Sequence, residues 1–255
     1  RDPGRRMTGR SITAPAPCAN PLAAKFARAH HAQHHAQRVH VAARVHLPRI
    51  AERLHQSGPT VSQTVARMER DGLLSVAPDR SLQLTEAGRT TAVSVMRKHR
   101  LAERLLADVV GLDMAHVHEE ACRWEHVMSE RVEQRLVNLL GDPENSPYGT
   151  PIPGRGEHHG TGAAAEVFDG LTLLEVAGAQ DSTEYVVRLL PEVVQADQEL
   201  IEMLSSAGIL TGSRVTAEIN PGDENRVVVT RVDSGVSLDL DSATARAIRV
   251  AAAEA

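Results

Sequence analysis

The stretch PRIAERLHQSGPTVSQTVARMERDGLLSVAPDRSLQLTEAGR, residues 48–89, decides the fold. After a Ser-Gly-Pro break, apolar side chains recur at helical spacing at Val61, Val65 and Met68, and a glycine then ends the segment. Residues 50–56, before the break, have the same spacing. Two short helices joined by a tight glycine-containing turn are typical of a helix-turn-helix. An ordinary helical hairpin inside a core is the alternative.

Two short apolar segments follow this helix pair. Residues 73–77 and 82–84 flank the turn Pro-Asp-Arg-Ser, a pattern that predicts a β-hairpin. The hairpin would make the helix-turn-helix a winged one.

Two long helices are predicted next. Thr85 is a suitable N-cap for a helix that runs to about Asp108. Beyond Gly111, a second long helix is expected from about Met114 to Leu140. Its apolar stripe, suited to a helix–helix interface, consists of Ala121, Trp124, Met128 and Val132.

The pattern of the C-terminal part predicts a small β-barrel. Residues 141–162 are rich in Pro and Gly and predict a linker. One helix, residues 192–207, interrupts the short strands that follow. Those strands are expected at residues 171–177, 185–190, 213–219, 226–232 and 236–240.

These patterns predict an α+β multidomain chain. It would contain a winged helix-turn-helix, an all-helical domain and a small β-barrel. The expected divisions are a basic, His/Ala-rich segment 1–48, a winged helix-turn-helix domain 49–92, an all-helical domain 93–140, a linker 141–165 and a β-barrel domain 166–255.

Composition excludes several classes of protein. The 255 residues are 42% hydrophobic and 24% charged, which is unlike collagen, a disulfide scaffold or a disordered chain. Two cysteines give no disulfide framework and favour a reducing, cytoplasmic location. No apolar run approaches the ~18 residues that a membrane span needs.

The charge is concentrated at one end. Residues 1–48 have a balance of +7 and six of the 13 histidines, whereas the remainder has a balance of −12. Abundant Ala, Arg, Pro and His with almost no acid is typical of out-of-frame translation of GC-rich DNA, so we expect residues 1–47 to be mis-assigned.

Six side chains could hold a metal ion. Within the second long helix, four of them stand at positions i, i+4, i+7 and i+8, on one predicted face; the first long helix offers an i, i+4 pair. The six are His118, Cys122, Glu125 and His126 on the second helix, and His99 and Glu103 on the first. Mixed nitrogen, sulfur and oxygen donors suit Fe(II), Co(II), Ni(II) or Zn(II). Solvated helix faces or interhelical hydrogen bonds are the alternative.

No enzyme signature accompanies these donors. His118-Glu119 is followed by Cys122 where the H-E-x-x-H metalloprotease motif requires a second histidine. No G-x-S-x-G, phosphate-binding loop or dinucleotide fingerprint occurs. We therefore expect no catalytic residues.

The second helix of the predicted helix-turn-helix leaves polar side chains free. With its apolar residues facing inward, Thr60, Ser62, Gln63 and Arg67 point outward. Gln can pair bidentately with adenine, and Ser and Thr reach base edges or phosphates.

Four stretches resemble the iron-dependent repressors related to the diphtheria toxin repressor (the DtxR/IdeR family): residues 48–89, VMRKHRLAERLL (95–106), HEEACRWEHVMSE (118–130) and SPYGTPIPG (146–154). The resemblance implies that residues 49–92 are a DNA-binding domain, 93–140 a metal-binding and dimerisation domain and 166–255 an SH3-like domain, and that segment 1–48 is not native-like. It implies a primary, activating site with Cys122, Glu125 and His126. It implies an ancillary site with His99, Glu103, His118, Glu192 and Gln195, and DNA-facing residues Ser57, Pro59, Thr60 and Gln63. In this family, Cys at position 122 is typical of iron-responsive members, and a carboxylate there of manganese-responsive ones.

The resemblance fails at the beginning of the chain. Family members supply a further primary-site Met from a first helix, and nothing like that helix occurs in residues 1–47. Without gaps, the Met position falls on His30.

The resemblance implies an Fe²⁺-activated repressor of iron-uptake, siderophore-type genes, with Co²⁺, Ni²⁺, Mn²⁺ or Zn²⁺ as substitutes. It would bind palindromic operator DNA as a homodimer in the cytoplasm, with no membrane partner. The alternatives are a metal-independent winged-helix regulator and a protein impaired by its altered N-terminus.

Overall fold

The structure is a computed structural model that describes residues 45–46, 57–154, 170–179 and 183–253. The helix predicted at residues 50–56 and the ligand position at His30 lie outside these residues.

A helix and a small antiparallel sheet form the first part of the described chain. Helix α1 spans Gly58–Arg70 and begins at Ser57, whose hydroxyl accepts a hydrogen bond from the Thr60 backbone N–H. Strands β2 (Leu74–Val76) and β3 (Ser81–Leu84) form the predicted hairpin. The buried face of α1, formed by Val61, Val65 and Met68, packs with the apolar residues of this hairpin.

A third strand joins this sheet. Strand β1, Val45–His46, pairs antiparallel with β3, so the sheet order is β1-β3-β2. It lies within the segment that was expected not to be native-like.

The first long helix ends close to the expected position. Helix α2 spans Glu86–Leu105, with Thr85 as its N-cap as predicted. A π-helical turn, Leu106–Val110, continues it, and Gly111 ends it with a left-handed φ of 72°.

The prediction of a single helix from Met114 to Leu140 is wrong. Helix α3 spans Met114–Trp124 and helix α4 spans Glu130–Leu139. The helices are separate because Ser129 takes an extended backbone and caps α4, accepting a hydrogen bond from the Val132 N–H. The expected stripe is divided between them, and Val132 is half exposed.

The first part of the predicted linker is packed rather than solvated. Residues 144–152 form a small hairpin, closed by a bridge between Asn145 and Pro151 and by a hydrogen bond from the Ile152 N–H to the Glu144 carbonyl. Tyr148, at its tip, is fully buried.

Within residues 170–179 and 183–253, the chain forms a six-stranded antiparallel sheet with four short helices, which agrees with the predicted SH3-like domain. The strand order is β4-β9-β5-β6-β7-β8. The strands are β4 (Leu171–Thr172), β5 (Tyr185–Leu189), β6 (Arg214–Ile219), β7 (Arg226–Arg231), β8 (Ser237–Asp241) and β9 (Arg249–Ala252). The helices are α5 (Leu173–Ala177), α6 (Glu192–Gln195), α7 (Gln198–Ser206) and α8 (Ser242–Ala247).

Two predictions in this domain are wrong. Residues 171–177 are mostly helix α5, because Thr172 and Glu175 form a capping box that begins a helix. The helix expected at 192–207 is two helices, because Asp197 takes an extended backbone and caps α7. The sequence did not predict α8 or β9.

Candidate metal centre

Three of the predicted ligands meet where α2 packs against α3. His99 and Glu103 lie one turn apart on α2, and α3 brings His118 against them. The distances are 2.8 Å from His99 Nε2 to Glu103 Oε1, 3.2 Å from His99 Nε2 to His118 Nδ1, and 3.1 Å from His118 Nδ1 to Glu103 Oε1. All three residues are buried. We call them the helix-held group.

The other three predicted ligands lie where α3 ends. Cys122 is in the last turn of α3, Glu125 is its C-cap, and His126 follows in the turn. The expected single helical face therefore does not exist for Glu125 and His126. Glu125 is buried, whereas Cys122 and His126 are half-buried. We call these residues the helix-end group.

Short contacts connect the two groups. Cys122 Sγ lies 3.7 Å from His118 Nε2, and Glu125 Oε2 lies 2.8 Å from His99 Nδ1. The other Glu125 oxygen, Oε1, lies 3.3 Å from His126 Nε2. All six side chains thus belong to one chain of contacts, which we call the metal cluster.

Opposite charges stabilise one another inside the cluster. Burial opposes charge on His99, but the charge of Glu103 and contacts with Cys122 and Glu125 raise its pKa well above the ordinary value. Burial likewise opposes charge on His118, but its hydrogen bonds to Cys122 and Glu103 raise its pKa to about 9. Burial would raise the pKa of Glu103, but the two histidines hold it well below its usual range.

The donor set fits a transition-metal ion. Donor atoms bonded to one ion at about 2.1 Å lie ~3 Å apart, which is the spacing within the helix-held group. Within the described part of the chain, the buried Glu103 Oε2 has no hydrogen-bond partner, as expected for an atom whose partner is an ion. His99, His118 and Cys122 also offer one donor atom each within 4.8 Å of one another.

Two predicted ancillary ligands come from the C-terminal domain. Half-buried Glu192 begins α6, and its negative charge acts on Arg100, which neighbours His99 on α2. Buried Gln195 ends α6, and its Nε2 donates to the Leu190 carbonyl at 2.6 Å.

Sequence reasoning missed two arginines beside the ligands. Arg97 forms a buried ion pair with Glu133 of α4, Nε to Oε1 at 2.9 Å, and donates to the Pro153 carbonyl. Buried Arg100 donates to the Pro151 carbonyl. Arg97 lies two residues before His99 on α2, and Arg100 lies one residue after it. This proximity in sequence to a predicted ligand could have identified both arginines.

The recognition helix presents the expected polar residues. Ser62, Gln63 and Arg67 are exposed on α1, opposite its buried apolar face. Pro59 is also exposed and Thr60 half-buried. The Ser57 hydroxyl is already used as the N-cap and lies 2.8 Å from the Thr60 hydroxyl.

None of the helices in the described ranges combines the length and apolar character needed to cross a bilayer. In the described residues, a helix with an exposed polar face lies beside a β-hairpin, and α2 joins this unit to a cluster of nitrogen, sulfur and oxygen donors. This combination is that of a metal-responsive DNA-binding regulator.

Comparisons with known proteins give the family. Two family models match: "Iron dependent repressor, N-terminal DNA binding domain" over residues 41–82, and "Iron dependent repressor, metal binding and dimerisation domain" over residues 85–154. The chain belongs to the iron-dependent repressor family and is a metal-dependent, DNA-binding repressor.

Individual relatives agree with this assignment. The diphtheria toxin repressor of Corynebacterium glutamicum is 52% identical over 202 residues, covering 79% of this chain and 86% of the relative. The iron-dependent repressor IdeR of Mycobacterium tuberculosis is 58% identical over 182 residues, covering 71% and 79%. Among solved structures, a manganese-dependent transcriptional repressor in complex with manganese aligns with a TM-score of 0.67 and 28% identity, over 89% of this chain and 99% of that one.

Proposed function

We propose that Fe(II) is the activating ion and that the metal cluster holds two ions. The primary site would use the helix-end group, Cys122, Glu125 and His126. The ancillary site would use the helix-held group together with Glu192 and Gln195. Co(II), Ni(II), Mn(II) and Zn(II) would bind as substitutes. The thiol favours a late transition metal, because thiolate is too soft a ligand for magnesium or calcium.

The observation that carries this proposal is the burial of two carboxylates and two imidazoles in mutual contact. Glu103 and Glu125 are buried against His99, with Oε1 of Glu103 and Oε2 of Glu125 each 2.8 Å from one of its ring nitrogens. Burying so many ionisable groups costs folding free energy. A purely structural contact between the helices could use apolar side chains and avoid this cost. A bound cation would supply the positive charge that this donor set lacks when its histidines are neutral.

The residues of the cluster would link metal binding to DNA binding. Ligands on α2 and at the end of α3 hold these two helices in one arrangement, and α2 begins directly after the wing. A homodimer with its helices so fixed would set two recognition helices about 34 Å apart, one DNA turn, on a palindromic operator. Ser57, Pro59, Thr60, Ser62, Gln63 and Arg67 would face the DNA. Metal would favour this arrangement by the ~1–3 kcal/mol typical of coupled sites.

We infer that the chain is a regulator without catalytic residues, acting in the cytoplasm, where its operator DNA is, on iron-uptake genes of the siderophore type. The broken H-E-x-x-H pattern at Cys122 supports a purely regulatory role.

The test is operator binding measured by fluorescence anisotropy with the full chain, with Fe(II) under anaerobic conditions or with Co(II). Either ion should strengthen binding at least fivefold relative to a chelator. Cys122→Ala and His126→Ala should abolish the increase. His116→Ala is the matched control, because His116 is an exposed histidine on the same helix, and it should respond to metal as the unsubstituted chain does.

Equal binding with metal and with chelator would contradict the proposal and favour a metal-independent winged-helix regulator. Loss of all operator binding, together with normal metal uptake, would instead point to impairment by the altered N-terminus.

A further inference from the structure

The hairpin at residues 144–152 lies between the metal-binding helices and the C-terminal domain. Its tip is a tight turn, in which the Ser146 N–H donates to the Thr150 carbonyl at 2.8 Å and the Ser146 and Thr150 hydroxyls lie 2.6 Å apart. Ser146, Tyr148 and Thr150 are all buried. None of the residues in this turn is a predicted metal ligand. Metal binding therefore does not explain why the turn is buried.

Tyr148 contacts both neighbours of the hairpin at once. Its hydroxyl donates to the carbonyl of Met114, the first residue of α3, at 2.7 Å. The hydroxyl also interacts with the backbone N–H of His118, one turn further along that helix. Its own carbonyl accepts a hydrogen bond from the Leu190 N–H at 2.9 Å. Leu190 lies between β5 and α6, two residues before Glu192.

The hairpin is fixed on both sides, so Tyr148 has little freedom to move. A Cβ at Gly149, which has a φ of 82°, would lie 1.9 Å from the Arg188 carbonyl, so the hairpin backbone touches strand β5 directly. On the opposite side, Arg100 of α2 donates to the Pro151 carbonyl. A rigid connection of this kind fixes the position of the C-terminal domain relative to the metal-binding helices, because packed protein interiors deform little.

We propose that Tyr148 is a positioning residue for the metal centre, holding His118 on α3 at a fixed separation from Glu192 and Gln195 on α6. This inference rests on the proposed function, which assigns those three residues to one site. Without the Tyr148 hydroxyl, the C-terminal domain would still fold. Its two ligands would, however, sample several positions relative to the helix-held group and would bind metal with a larger loss of entropy.

The decisive variant is Tyr148→Phe, which removes one oxygen atom and keeps the buried ring. The metal-free full chain is titrated with Co(II) by calorimetry and by absorption. The binding step that is weakened by Glu192→Ala should become roughly three- to tenfold weaker in Tyr148→Phe, the effect of one buried hydrogen bond. The thiolate-to-cobalt absorption of the Cys122 site should keep its intensity and midpoint.

A double-variant cycle separates positioning from general stability. In the Glu192→Ala background, Tyr148→Phe should cause less additional weakening than in the unsubstituted chain, because one of the two ligands that it positions is already absent. Tyr185→Phe, which removes a hydroxyl from a buried tyrosine of β5, is the matched control and should leave Co(II) binding unchanged. Equal weakening in both backgrounds, or none in either, would overturn the proposal.

A second measurement does not require metal. Hydrogen exchange at the Leu190 amide, which donates to Tyr148, should be faster in Tyr148→Phe than in Tyr185→Phe. If the unsubstituted chain takes up no Co(II), the proposed function fails, and this exchange rate alone decides whether Tyr148 holds the segment before Glu192. An unchanged rate would overturn the positioning role.

Discussion

The two groups of the metal cluster differ in the backbone that carries them. Residues of the helix-held group lie within α2 and α3, and their donor atoms are 2.8–3.2 Å apart. In the helix-end group, Glu125 and His126 follow the last residue of α3 and lie in the turn before α4.

This difference indicates how each half of the centre becomes ordered. His99, Glu103 and His118 lie inside α2 and α3, which pack against each other, so this half should be preformed. Positions of Glu125 and His126 depend on a turn, and turns are ordered less strongly than helix interiors. The contact between His99 Nδ1 and Glu125 Oε2, at 2.8 Å, joins the two halves.

The strongest test of this comparison is Glu103→Ala in the metal-free chain. The substitution leaves His118 buried without a carboxylate partner and leaves His99 with only Glu125. Removing one partner of a buried ion pair costs about 3–5 kcal/mol. We therefore expect the free energy of unfolding, measured with urea and a chelator, to fall by that amount.

The matched substitution in the other group is Cys122→Ala. Cys122 is half-buried at the helix end, so its loss should lower the free energy of unfolding by no more than about 1 kcal/mol. Similar losses for Glu103→Ala and Cys122→Ala would show that the two groups are equally ordered, contrary to the comparison.

An effect smaller than that of Glu103→Ala is expected from pH. The folded-state pKa of His118 is about 9, above its ordinary value of 6.5, so protonated His118 stabilises the folded state. That stabilisation is complete below pH 6.5 and is lost as the pH rises through 9. His99 shifts in the same direction. The metal-free chain should lose on the order of 2–3 kcal/mol of unfolding free energy across this range.

Metal affinity should instead increase as the pH rises, because an ion must displace the protons on these histidines. The increase in melting temperature on adding Co(II) should therefore be larger at pH 8.5 than at pH 6.5. His118→Gln, which cannot carry the charge, should flatten the pH dependence of the metal-free chain. A metal-free chain that is as stable at pH 9 as at pH 6.5 would contradict the assigned charges.

The regular parts of the fold could be predicted because each has a local signal. Spacing of Val61, Val65 and Met68 gave α1, and Thr85 gave the beginning of α2. The i, i+4 pair His99 and Glu103 gave the helix-held group, since a helix interior fixes which side chains share a face. Assignment of individual ligands to two metal sites stays a prediction.

The remaining features depend on single capping residues or on contacts distant in sequence. An apolar period that continues beyond Trp124 hid the extended backbone at Ser129, and the Thr172–Glu175 capping box was taken for strand. The burial of Tyr148 was not predictable, because Pro and Gly around it are typical of a solvated linker, whereas its partners lie 34 residues before it, at Met114, and in the next domain, at Leu190.

An effect about as small as that of Cys122→Ala is expected at Ser129, which ends the turn that carries Glu125 and His126. Ser129→Ala removes the hydroxyl that accepts from the Val132 N–H and should cost about 1 kcal/mol of unfolding free energy. The same change should loosen the turn from Glu125 to Met128. We expect a several-fold lower Co(II) affinity at the Cys122 site and unchanged binding at the helix-held group, both followed by absorption and calorimetry.

Ser129→Thr is the control, because a threonine hydroxyl also caps helices and should restore both stability and affinity. The comparison between the groups requires this selectivity. Since α2 and the interior of α3 hold their three ligands without the turn, a loss of Co(II) affinity shared equally by both steps would mean that the turn supports the whole centre. The helix-held group would then not be preformed.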